Sequence, residues 1–248
     1  MKPGILDYAV VVLFVLREII ESRWYWPRHV QAIRARVPGA RSRAYLTAII
    51  ALWLFTLFVI TLWIEGSRPW NALRLGHAAP WRLGIGILAA ATVIVFFMLQ
   101  GRKVQKALTR PKAVASLRKQ LEFANVLAPE TSGERRGFWL LSFTAGICEE
   151  ILFRGFLMWL IAQWTGLVAA VILSSILFGC AHIYLGTAYV PKVAIVGLLF
   201  ALVVVASGSL WPAIVIHAAM DLSSGEISFR VARAASATVE AAPAPVTS

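Results

Sequence analysis

Seven long apolar runs, separated by short polar or basic connections, dominate the chain: roughly residues 5–21, 44–64, 81–100, 137–161, 167–185, 191–207 and 210–227. A helix crosses the hydrocarbon core of a bilayer in about 20 residues, with a range of about 17–25. The pattern therefore predicts an all-α, polytopic transmembrane bundle of about seven spans. The last two runs are short, which suits helices that are tilted, partly re-entrant or lining a cavity. Residues 102–128 have a different pattern. Lys103, Lys106, Arg110, Lys112, Arg118 and Lys119 alternate with Val104, Leu108, Val114, Leu117, Leu121 and Phe123. This predicts an amphipathic helix, or a helix pair broken at Pro111, lying on the inner leaflet. From Ser236 the chain is rich in Ala, Pro, Thr and Ser and reads as disordered. The expected organisation is a transmembrane scaffold over 1–130, a helical core over 131–230 that carries the chemistry, and a tail over 231–248.

Composition agrees with the pattern. Hydrophobic residues make up 59% of the 248 and charged residues only 15%, against about 25% charged in soluble domains. The 10 tryptophans and 13 phenylalanines suit membrane interfaces. The net charge of +12 lies in the connections and is not spread over a folded surface, which argues against nucleic-acid binding. Arg23, Arg28, Arg34, Arg36, Arg41 and Arg43 fall in one acid-free connection, and residues 101–136 hold a second basic cluster. The positive-inside rule then puts both clusters in the cytoplasm, the N-terminus outside and the C-terminus inside. Cys148 and Cys180 both lie in apolar runs, so neither implies a disulfide framework.

Chemistry concentrates in the core over 131–230. Glu149, Glu150, Arg154, His182, His217 and Asp221 are polar or ionisable residues inside apolar runs. Such groups are costly in a membrane and mark function by default. Helical spacing pairs Glu150 with Arg154, acid first, the better order for an ion pair. Glu149 is turned about 100° away and is left without that cation, as a general base requires. Phe178 shares a face with His182, and His217 shares one with Asp221. At 1.5 Å per residue, Glu149 lies about 18 Å into its span and His217 about 10 Å into its own, so the groups converge between mid-membrane and cytoplasm. Two hydrolytic chemistries fit. Glu149, His182 and His217 can hold a divalent metal such as zinc, whose bound water attacks. Alternatively, Glu149 activates water directly while His217 and residue 221 stabilise the oxyanion. No His-Glu-x-x-His or Gly-x-Ser-x-Gly motif is present.

Taken in order, Glu149-Glu150-x-x-x-Arg154, Phe178-x-x-x-His182 and His217-x-x-x-Asp221 resemble the CPBP family of CAAX-type prenyl-protein proteases and bacteriocin-processing or self-immunity (Abi) proteins. The resemblance covers roughly 137–225. It implies an intramembrane endopeptidase in which Glu149 activates water and Glu150 with Arg154 supports it. His182 would orient the water or a metal, and His217 with residue 221 would bind the oxyanion. The implied partners are the lipid bilayer and a membrane-associated peptide or protein substrate. The compact loops and Ala/Pro tail fit a bacterial plasma membrane. Asp221 stands where eukaryotic-type members carry Asn. Two rivals are a non-catalytic immunity or scaffold protein of the same fold and a proton-coupled transporter. The transporter reading lacks the duplicated halves usual for that class.

Overall fold

The computed structural model describes residues 3–124 and 126–240. Every regular element among them is helical, as expected where only internal hydrogen bonds can satisfy the backbone. Helix α1 (Ile5–Ile20) passes through a π-type stretch, Glu21–Tyr25, into α2 (Trp26–Arg34). Helices α3 (Ala40–Glu65), α4 (Pro80–Ala107) and α5 (Pro111–Ala124) follow. Helix α6 (Ser132–Glu149) continues through a second π-type stretch, Glu150–Leu157, into α7 (Met158–Ala181). Two short 3-10 turns lead to α8 (Val190–Ser207), and α9 (Trp211–Glu240) ends the described chain.

All seven apolar runs are helical. Four helical stretches are long and apolar enough to cross a membrane: Ala40–Glu65, Pro80–Ala107, Ser132–Ala181 and Thr187–Ser207. The third has 50 residues, about 75 Å of helix, more than twice the hydrocarbon thickness. Gly166 breaks it, with φ 76° and ψ 171°, a conformation that glycine adopts without steric cost. One stretch thus supplies two of the runs read from sequence. Helix α1, at 16 residues, is shorter than a full crossing, and α9 is apolar only over its first part. Large apolar side chains such as Leu54, Leu88, Val168 and Leu202 remain exposed. A surface of that kind suits lipid, not water.

Two sequence expectations change. Residues 102–107 extend α4 and do not start a separate surface helix; only the part from Pro111 does, and it packs against α9. The chain from Ser236 to Glu240, and the whole of 231–240, belongs to α9, with Val231 and Ala235 buried. The rest of the expected tail lies outside the described residues.

Packing brings the candidate residues together. Helix α6 contacts α3 and α9, and α7 contacts α8. A Cβ on Gly146 would stand 3.0 Å from the Cβ and the backbone nitrogen of Ala218, and one on Gly179 would stand 2.5 Å from the Val190 carbonyl oxygen. Glycine at these two points lets α9 and α8 close on the helices that carry Glu149 and His182. Two apolar clusters flank the meeting point. One surrounds Phe200, Ala201 and Val204, and the other surrounds Phe153, Phe178 and Trp159.

Candidate active site

Helix α6 begins with a capping box. The Glu134 N–H donates to Thr131 Oγ1 at 3.2 Å, and the Thr131 N–H donates to Glu134 Oε2 at 3.1 Å. This fixes the register of the helix. Eighteen residues later the helix ends at Glu149 and the π-type stretch begins at Glu150, a local geometry frequent at functional sites. The sequence reading assumed ordinary α-helical turns here. In the wider turn Glu150 and Arg154 still meet: Arg154 Nη1 donates to Glu150 Oε1 at 2.9 Å, and both side chains are fully buried.

Arg154 also reaches α8 and two aromatic rings. Its Nη2 donates to the Gly197 carbonyl of α8 at 3.0 Å, and its guanidinium lies 4.0 Å from the centre of the Phe178 ring and 5.3 Å from that of Phe200. Glu150 Oε1 is also 2.9 Å from His217 Nδ1. The Glu150 oxygen, paired with Arg154, accepts there, so Nδ1 carries the proton and Nε2 faces away from Glu150. The same orientation arises at His182 by a different route. Its Nδ1 stands 2.8 Å from the Phe178 carbonyl oxygen, which can only accept, so Nε2 again points outward.

Both outward nitrogens approach one atom. Glu149 Oε2 lies 3.8 Å from His182 Nε2 and 3.9 Å from His217 Nε2. It is buried and has no hydrogen-bond partner in the protein. Asp221 Oδ2 is 3.7 Å from His217 Nε2. Glu149, His182, His217 and Asp221 line a cavity of about 390 Å³. Glu150 and Arg154 do not line it. They lie behind its wall and act on it through His217. The six residues singled out in the sequence therefore form one cluster with two layers: four face the cavity and two buttress it.

The metal alternative meets a different geometry. Among the described residues no group of three or more His, Cys, Asp or Glu side chains is arranged to hold a metal ion. Ligands of one tetrahedral zinc stand about 3.3–3.5 Å apart, a little closer than the 3.8 and 3.9 Å separations here. These separations suit a water molecule accepted and donated at about 2.8 Å. Neither cysteine joins the site. Cys148 is buried beside Leu52 and Ala145, and Cys180 lines a separate groove between α1 and α7.

The sequence reading missed the contribution of the N-terminal region, which it treated as scaffold. Arg17 and Glu18 from the end of α1, Glu21 from the π-type stretch and Trp26 and His29 from α2 line the same cavity. Trp26 packs on Tyr184 with ring centres 4.7 Å apart, and Tyr184 stacks on His182 at 5.7 Å. The signal was available: Arg17-Glu18 is a charged pair inside an apolar run.

A family model described as type II CAAX prenyl endopeptidase Rce1-like matches residues 134–223. That interval opens in the first turn of α6 and closes just after Asp221, so it holds all six candidate residues. Over this interval the chain is similar to the Rce1-like family. The similarity supports, at family level, a CAAX-type endopeptidase, a hydrolase, and it falls on helices apolar enough for a membrane. Comparisons with curated proteins and with solved structures gave no match. Helices α1 to α5 lie outside the Rce1-like segment.

Proposed function

We propose that the protein is an intramembrane endopeptidase that cleaves a membrane-associated peptide or protein with water activated by Glu149. The observation that carries this reading is the convergence of two imidazole Nε2 atoms on the unpartnered, buried Oε2 of Glu149. A water placed among them donates one proton to Glu149 and the other to His182 Nε2. Its lone pair then faces a carbonyl carbon held in the cavity. As the C–O bond forms, Glu149 takes the first proton. The carbonyl oxygen becomes an oxyanion, which accepts from His217 when that ring carries protons on both nitrogens. Glu150 matches the charge of such a ring through its 2.9 Å contact with Nδ1. Collapse of the tetrahedral species breaks the C–N bond, and Glu149 returns its proton to the departing amine.

Glu150 and Arg154 are positioning residues in this scheme. Arg154 fixes Glu150, and Glu150 fixes the tautomer and tilt of His217, as outer-layer carboxylates do for histidine elsewhere. The basic connections fit a cytoplasmic opening, because Arg17, Trp26 and His29 at the cavity neighbour the acid-free 23–43 connection. A multi-pass protein of a bacterial plasma membrane fits this reading.

The test is cleavage by the full-length protein in liposomes, using a fluorogenic CAAX-type peptide alongside fragment mapping of membrane proteins with and without the active enzyme. Glu149→Gln is expected to remove cleavage and to leave insertion and abundance unchanged. His182→Ala and His217→Ala are expected to behave alike, and chelation to leave the wild-type rate unchanged. Normal fragments from Glu149→Gln would sink the proposal.

A further inference from the structure

Away from the candidate active site, α4 and α9 enclose a groove of about 630 Å³. Its floor is apolar, with Ile94, Phe97 and Met98 from α4 and Ile227 from α9, and its rim is basic, with Arg102, Lys106 and Arg230. The rim lies at the end of α4 that carries the chain's second basic cluster. The rim charges differ in their surroundings. Arg230 is engaged: its Nε donates to Glu226 Oε1 at 2.8 Å and its Nη1 to Gln105 Oε1 at 3.0 Å. The second bond ties α9 to α4 and sets the width of the groove. Glu226 also faces Arg135 at 3.2 Å, so the one acid on the rim is shared between two arginines. Arg102 and Lys106 are exposed and have no ion-pair partner among the described residues. The rim therefore keeps an excess of positive charge directly above an apolar trough.

We propose that this groove binds one anionic glycerophospholipid from the leaflet on the Arg-rich side. An acyl chain lies along Phe97 and Met98, and the phosphate sits between Arg102 and Lys106. Charge complementarity selects this occupant. A zwitterionic lipid carries its own ammonium to the rim and gains less from two unpaired cations. A soluble phosphate leaves the apolar floor uncovered. Two basic side chains beside an anionic headgroup give a preference for anionic over zwitterionic lipid of about tenfold or more. The inference stands apart from the peptidase reading, because none of these side chains lines the catalytic cavity.

The experiment counts lipids retained by the full-length protein in native mass spectrometry and titrates them back into delipidated protein. The probes are phosphatidylglycerol, phosphatidylcholine and soluble glycerol phosphate. One tightly held phosphatidylglycerol, preferred about tenfold or more over phosphatidylcholine, is expected. Arg102→Gln with Lys106→Gln is expected to remove the preference. Lys112→Gln with Lys119→Gln, which removes two charges from α5, is expected to keep it. Met98→Trp leaves the charges in place, fills the floor and is expected to weaken lipid retention. Equal retention of the two lipids would overturn the proposal. So would equal loss in both double variants, or binding of glycerol phosphate as tight as that of the lipid.

Discussion

Among the described residues, the Asp7–Arg68 and Glu150–Arg154 pairs both sit largely away from solvent, and they are built differently. At the start of α1, Asp7 accepts from Arg68 twice, Nη1 to Oδ1 and Nη2 to Oδ2, both at 2.7 Å, and also from the Gly4 N–H at 2.7 Å. The Arg68 guanidinium is sandwiched near Trp63 and Trp159 at 5.2 and 5.0 Å. Both oxygens of this carboxylate are satisfied, and the pair does not line the cavity at Glu149. In the segment similar to the Rce1-like family, Glu150 concentrates two donors on Oε1 and leaves Oε2 without a partner, and Arg154 Nε is likewise unpartnered. That pair is incomplete as a clamp, and it passes a hydrogen bond to an imidazole that faces the cavity. Buried charge alone does not mark chemistry. A buried polar network with unsatisfied atoms, ending on a cavity, is the more informative sign.

The largest expected effect tests the chemical end of this contrast. Glu149→Gln keeps the shape of the side chain and removes its basicity, so the cleavage rate should fall by about 10²–10⁴-fold, the usual contribution of a general base, with the melting transition unchanged. A loss of stability matching the loss of rate would make Glu149 a structural residue like Asp7. Next comes Arg154→Ala. It strands Glu150 in a fully buried position, and breaking such a pair costs about 3–5 kcal/mol. Unfolding in mixed micelles should show the destabilisation. Cleavage per folded molecule should also fall, because His217 loses its anchored partner.

How much of this was legible follows from what sequence encodes locally. The apolar runs are continuous, so the helices could be read directly. Glu149, Glu150 and Arg154 lie within one turn and a half, and their division into a free and a paired acid follows from angular spacing alone. The partner of His217 was not readable. Its local neighbour is Asp221, four residues on, yet Nδ1 binds Glu150 on another helix, because Gly146 lets α9 come close enough. The Asp7–Arg68 pair spans 61 residues and has no local signature. The cavity wall from α1 depends on how that helix is docked, which hydropathy does not specify. The π-type stretch at Glu150 keeps the i,i+4 ion pair while changing the turn, so the pattern looks α-helical from sequence.

A smaller effect probes the saturated pair. Asp7→Asn removes the charge but keeps the shape, leaving Arg68 with weaker acceptors, and loss of charged hydrogen bonds of this kind costs about 1.5–3 kcal/mol. The unfolding midpoint should drop, and cleavage per folded molecule should stay at the wild-type level. Lost cleavage in a variant that remains folded would erase the distinction between the two pairs.

The smallest effect is expected at Asp221, which occupies the boundary between the two kinds of group. It lines the cavity beside His217, but at 3.7 Å from Nε2 it is beyond hydrogen-bond reach. It is also the most exposed of the site's acids, at 31% against 15% for Glu149 and none for Glu150. Water can therefore screen it, and its removal leaves no unsatisfied buried partner. Asn at this position keeps the size of the side chain and offers an N–H toward the developing oxyanion. Asp221→Asn should consequently change the cleavage rate by less than about tenfold, or about 1.4 kcal/mol of barrier, in either direction. His217→Ala in the same assay supplies the contrast, since His217 carries both the Glu150 contact and the cavity-facing nitrogen. A fall for Asp221→Asn as large as that for His217→Ala would mean that the carboxylate acts with the imidazole as a unit, and that its distance from Nε2 shortens once substrate enters.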